Sequence, residues 1–83
     1  MASKFQNKTI KQYEDSGHLV IKLHKTNKNG MPDLLCIKEG VSTFIECKEE
    51  NDTLKPLQKF RIDELRSSGC EAFCLQDNKG KIY

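Results

Sequence analysis

Apolar side chains recur at helical spacing near the start of the chain. Phe5, Thr9, Ile10 and Tyr13 share one face, which predicts a helix over Lys4 to Asp15, with Ser16-Gly17 supplying the glycine that commonly ends a helix. The period then drops to two. Leu19, Ile21 and Leu23 alternate with His18, Val20, Lys22 and His24, so residues 18–24 read as a strand. Lys25-Thr26-Asn27-Lys28-Asn29-Gly30 has no apolar residue and reads as a mobile basic loop. Met31-Pro32 leads into a strand over 33–38, and a second strand over 41–48 follows across Glu39-Gly40, a hairpin with glycine at a turn position. Pro56 suits the first turn of a second helix, where a missing N–H costs little. Leu57, Phe60, Ile62 and Leu65 would form its apolar side, and Ser67-Ser68-Gly69 would stop it. Residues 70–75 form a last apolar strand, and Asp77-Asn78-Lys79-Gly80 turns into a short tail, Lys81-Ile82-Tyr83.

The order is αβββαβ. A helix between the third and fourth strands makes that crossover long enough for parallel pairing, so the sheet should be mixed, with helices packed on it in one layered α/β domain. Eighty-three residues leave room for one core, and residues 1–83 are expected to form a single domain. At 36% hydrophobic and 31% charged, the composition is globular and not that of a disordered chain. The longest apolar run, Leu34-Leu35-Cys36-Ile37, is far short of the roughly 20 residues of a membrane span. No secretory pattern is visible, so a soluble cytoplasmic protein is expected.

Cys36, Cys47 and Cys74 lie in apolar runs, where a reduced thiol behaves as a small hydrophobe, and Cys70 follows the helix stop as a structural residue. No pair has zinc-ribbon spacing, and reduced thiols suit the cytoplasm. His18 and His24 are too far apart along a strand to share a metal and read as surface or packing residues.

The net charge of +2 conceals an acidic centre between basic flanks. Residues 1–31 carry six lysines against Glu14 and Asp15, net +4, whereas residues 32–52 carry two lysines against six acids, net −4. If Glu39 and Gly40 are the two turn residues, Lys38 faces Val41, Leu35 faces Phe44, and Asp33 falls opposite Glu46, with Cβ atoms roughly 4.5 to 5.5 Å apart. A bulged turn would shift the register by one and set Asp33 against Ile45, burying a carboxylate against a core side chain, so the first register is preferred. Two carboxylates that close cannot both ionise cheaply unless a cation lies between them, and Mg²⁺ or Mn²⁺ prefers such oxygens. Lys48 lies on the same face as Glu46, about 6 to 7 Å along the strand, where it can stabilise charge on a phosphate oxygen or help position a water. Cys47 between them points to the core, leaving its backbone carbonyl as a third oxygen ligand. An acid two residues from a lysine is common on solvated strands, and only the combination with Gly30, Pro32 and Asp33 across a hairpin is informative.

Gly30-Met31-Pro32-Asp33, Phe44-Ile45-Glu46-Cys47-Lys48, Leu54-Lys55-Pro56-Leu57-Gln58 and Ser68-Gly69 together resemble the VRR-Nuc family of the PD-(D/E)xK nuclease superfamily, in its short stand-alone phage or bacterial form. The resemblance covers about residues 4–75. It implies a restriction-endonuclease-like core, metal-dependent hydrolysis of DNA phosphodiesters and, by similarity to Holliday junction resolvases, a homodimer acting on branched DNA in a bacterial or phage-infected cell. On this sequence it implies Asp33 and Glu46 as ligands of Mg²⁺ or Mn²⁺, Lys48 as the catalytic lysine, Gln58 at the site from the second helix, and Gly30 as the point where backbone approaches DNA. The family usually adds a glutamate on the first helix, and counting back from Gly17 puts the neutral Gln6 there. Glu14 is the nearest acid, but it lies near the C-terminal end of that helix, where it opposes the dipole.

An acidic site repels DNA unless lysines surround it. Lys22, Lys25 and Lys28 beside the site, and Lys4, Lys8 and Lys11 on the first helix, are the candidates for phosphate contact. Such contacts position a backbone without reading bases, and no base-reading motif is visible, so structure-selective binding is expected. The competing reading is a DNA-binding module with a nuclease-like core made inactive by Gln6, and a third is an interaction protein whose acids are surface charge.

Overall fold

The computed structural model describes residues 3–83. The first helix, α1 (Lys4–Asp15), starts at Ser3, whose hydroxyl oxygen accepts the Gln6 N–H at 3.0 Å and so satisfies one of the free donors of the first turn. It is followed by β1 (Leu19–Lys22), β2 (Leu34–Lys38), β3 (Val41–Lys48), α2 (Pro56–Ser67), β4 (Glu71–Gln76) and β5 (Gly80–Lys81). The strands lie in chain order, antiparallel except for the parallel pair β3–β4 that α2 joins. The expected mixed α/β architecture is therefore present. It gains one element: beyond the expected turn the short tail begins as a strand, with Gly80 and Lys81 returning against Gln76 and Leu75.

Alternation along β3 sends its side chains to two cores. Ile45, with Leu34 and Cys36, packs beneath α1 against Ile10, Tyr13, Val20 and Cys47. Leu54, Ile62, Ala72 and Cys74 pack beneath α2 with Phe44 and Leu65. Two apolar assignments change. On β1 the inward residue is Val20, because it pairs with the fully buried Cys36, and Leu19 and Ile21 face the other way, 61% and 40% exposed. On α2, Ile62 and Leu65 face the sheet while Leu57 and Phe60 are exposed, since two residues along a helix turn the side chain about 200° and put Phe60 opposite Ile62. Among the described residues α2 packs on β3 and β4, to one side of that face of β1 and β2.

The four cysteines are free, Cys36 and Cys74 fully buried. Burial pushes their thiols up to about 11, so they are inert hydrophobes, as expected. Among the described residues no helix is long and apolar enough to cross a membrane.

Candidate active site

The site begins with the β2–β3 turn. Glu39 (φ +51°) and Gly40 (φ +79°) both take left-handed backbone, as in the two-residue turn whose twist matches its strands. The ladder runs from Lys38↔Val41 to Leu34↔Ile45, the preferred register, and continuing it sets Asp33 beside Glu46 and Pro32 beside Cys47. Proline has no N–H to give the ladder. The Cys47 N–H instead donates to Asp33 Oδ2 at 3.0 Å, and the Leu23 N–H donates to the Asp33 carbonyl at 2.8 Å, so Asp33 is pinned from both neighbouring strands. A strand residue turns its N–H and C=O to the same edge. The Cys47 carbonyl therefore faces the Asp33 side, where Pro32 offers it no donor. The Cys47 thiol points into the α1 core beside Thr9, and burial, with Asp33 adding to it, pushes it up to about 12.

Glu46 and Lys48 point the other way, beneath α2, and are only 3% and 5% exposed. The Lys48 ammonium stands 3.8 Å from Glu46 Oε2 and 3.6 Å from Asp52 Oδ2, close enough to attract both and too far for a direct hydrogen bond to either. Gln58 enters from the first turn of α2. Its Oε1 accepts the Lys55 N–H at 2.9 Å, which fixes the amide and turns its NH₂ toward Glu46 Oε2 at 3.5 Å. Glu46 Oε1 is buried without a partner. Burial, and then the negative charge of Asp33, push the Glu46 carboxyl up to about 8 against the partial opposition of Lys48, and the proton it retains can be shared with Asp33.

That unpartnered oxygen tests whether a divalent ion suits the site. A buried carboxylate oxygen without a donor costs free energy unless a proton or cation meets it. Two carboxylates and a free carbonyl are hard oxygen donors of the kind Mg²⁺ and Mn²⁺ take. Asp33, Glu46 and the Cys47 carbonyl fit such an ion by the chemistry of their oxygens, although no group of three or more His, Cys, Asp or Glu among the described residues is gathered to hold one.

The other expected residues lie further out. Gln6 is half-buried on α1, on the opposite face of the sheet, and no hydrogen bond joins it to Asp33, Glu46, Lys48 or Gln58. Glu14 is exposed near the far end of the same helix. Lys25 and Lys28 line a cavity of about 340 Å³ with His24, Thr26, Asn29 and Gly30, and Lys22 is exposed at the end of β1. The basic loop is tethered, because Arg61 Nε donates to the Asn29 carbonyl at 2.8 Å. Gly30 is needed for the fold itself: at φ +79° a Cβ there would stand 2.7 Å from Leu57 Cγ. Lys4 lies beside Glu49, Glu50, Asp52 and Asp77, Lys8 beside Asp77 and Asn78, and Lys11 pairs with Asp15. Sequence reasoning missed Asp52, which lies in an irregular turn where no periodicity relates it to Lys48. It also missed Gln76, although the inward alternation of Ala72 and Cys74 leads to that position.

A mixed sheet flanked by two helices, with acids and a buried lysine at the end of its central hairpin, defines a nuclease-like α/β core. The model of the VRR-NUC domain matches residues 3–77. A solved structure of a VRR_NUC domain is similar at a TM-score of 0.74 and 33% identity, covering 86% of this chain and 78% of its own. No curated protein matches. The chain belongs to the VRR-NUC domain family. Membership makes it a nuclease-type enzyme with DNA as its substrate class, in a family that generally depends on a divalent metal.

Proposed function

We propose that this chain, as one nuclease domain, is a Mg²⁺- or Mn²⁺-dependent endonuclease that hydrolyses DNA phosphodiesters at Asp33, Glu46 and Lys48, with branched DNA such as a four-way junction as the preferred substrate. The observation that carries the reading is the buried, unpartnered Glu46 Oε1 beside Asp33. Asp33, Glu46 and the Cys47 carbonyl would hold the ion, which when bound supplies polarisation of a phosphoryl oxygen and a water of lowered pKa. Asp33 meanwhile keeps the Cys47 N–H, which holds its carboxylate and that carbonyl on one edge. Gln58 steadies Glu46, and Lys48 offers a water-shielded ammonium to the charge that develops on the phosphate.

Lys22, Lys25 and Lys28 would carry the DNA backbone past the site, with Lys4 and Lys8 contributing from α1. A homodimer is supported by the exposed Leu19 and Ile21 on β1 and by the small core of a domain this size. Two sites in a dimer suit paired nicks in a junction.

A second reading, a DNA-binding module that does not cleave, is favoured by one observation: Gln6, the residue that the resemblance sets at the family's helix glutamate, is neutral, lies on the opposite face of the sheet and makes no hydrogen bond to Asp33, Glu46, Lys48 or Gln58, so α1 adds no acid to the site. Incubation with Mn²⁺ and four-way or linear DNA separates the two. Nicking that is lost in Glu46→Gln supports the enzyme, and salt-sensitive binding without nicking supports the module.

A further inference from the structure

Gln76 ends β4 directly beside Lys48 in the parallel register, and its side chain is buried. Its Nε2 lies 2.9 Å from the Glu49 carbonyl, 3.2 Å from that of Glu50 and 2.6 Å from that of Asp52. An NH₂ group has two hydrogens, so the three carbonyls share them, and the turn over residues 49–52 is gathered around one amide. The same turn is closed by the Asp52 N–H donating to the Glu49 carbonyl at 3.0 Å. Asp52 Oδ1 accepts the Thr53 N–H at 2.8 Å, which leaves Oδ2 directed at Lys48 Nζ, 3.6 Å away. Glu46 Oε2 lies 3.8 Å from the same ammonium. The ammonium is within reach of both side chains and hydrogen-bonded to neither.

We propose that Gln76 is a positioning residue for Lys48, acting through the turn that carries Asp52; this rests on the nuclease reading above for its consequence, and on geometry alone for the placement. Asp52 draws the ammonium off Glu46. Without Asp52 in place, Lys48 would close onto Glu46 Oε2, occupy the carboxylate that the site needs for a cation, and leave the position from which it can meet a phosphate. Only a donor serves at position 76, since an ionised carboxylate, which can only accept, would face three converging carbonyl dipoles.

The test uses Gln76→Met, which keeps the volume but has no donor, and Asp52→Asn, which keeps the acceptor for the Thr53 N–H but not the charge. Each and the double variant are compared for kcat and KM on a four-way junction in Mn²⁺. The Lys48 ¹⁵Nζ signal of the metal-free proteins is followed by NMR. Expected are a kcat loss of about tenfold or more in each single variant with KM within about twofold, a double variant no worse than Asp52→Asn alone, and a Lys48 signal that loses its protection in Gln76→Met. Losses that multiply in the double variant, or an unchanged Lys48 signal in Gln76→Met, would overturn the proposal. If Gln76→Met does not fold, Asp52→Asn decides: wild-type kcat with an unchanged Lys48 signal overturns it. If the wild type does not cleave, the nuclease reading fails, and the NMR comparison still decides the placement.

Discussion

Without a divalent ion, Glu46 should make this protein less stable as the pH rises. Its carboxyl is raised from an ordinary 4.5 to about 8 in the fold, so the native state holds its proton more tightly than the unfolded chain does. The stabilisation is complete below pH 4.5 and is lost progressively as the pH climbs through 8. At about 1.4 kcal/mol per pH unit, that interval corresponds to at most about 5 kcal/mol. A domain of this size has a total stability of only about 4 to 12 kcal/mol. Urea unfolding followed by circular dichroism in the presence of a chelator, at pH 5, 6.5 and 8, should therefore show the midpoint falling steeply in the wild type. Glu46→Gln keeps the shape and has no proton to lose, so its curve should be nearly flat and should lie above the wild type at pH 8. Mn²⁺ added at pH 8 should restore the wild type and leave the variant unmoved, because only the native carboxylate binds it. Parallel pH curves for the two proteins would refute the account of Glu46 as a buried acid held ready for a cation.

Three further outcomes follow from the same geometry. Lys48→Met should lower junction cleavage by about 10²-fold or more while DNA binding, read by fluorescence anisotropy, changes little, as expected for an interaction made mainly in the transition state. Gly30→Ala should cost about 1 to 3 kcal/mol in denaturant unfolding, since the new Cβ meets Leu57 at 2.7 Å in left-handed backbone. Replacing both Lys25 and Lys28 with Gln should reduce the slope of log affinity against log salt by up to about 2, with a similar loss for every DNA sequence tried.

The hairpin was the most legible part of the molecule. One two-residue turn fixes a register, a register fixes which side chains share a face, and Asp33, Glu46, Lys48 and the inward Cys47 follow from it. Gln58 was legible only through the family resemblance, because a polar residue in a first helical turn is ordinarily solvated. The faces of β1 and α2 were harder to read: β1 alternates apolar residues against a mixed set that includes Val20, and only the pairing with Cys36 decides which set turns inward. Asp52 was silent, and Gln76 was legible only as an inward position, for another reason. Their placement depends on backbone carbonyls gathered by an irregular turn, and backbone carbonyls leave no mark in a sequence.

Pro32 has a consequence beyond its own position. A residue with an amide hydrogen there could carry the strand pairing one step further and zip the hairpin shut against Cys47. The imino acid halts that zipper, so the Cys47 N–H is left for the Asp33 carboxylate to take. A single ring closure in one side chain thus hands a main-chain donor from the ladder to the aspartate set beside Glu46.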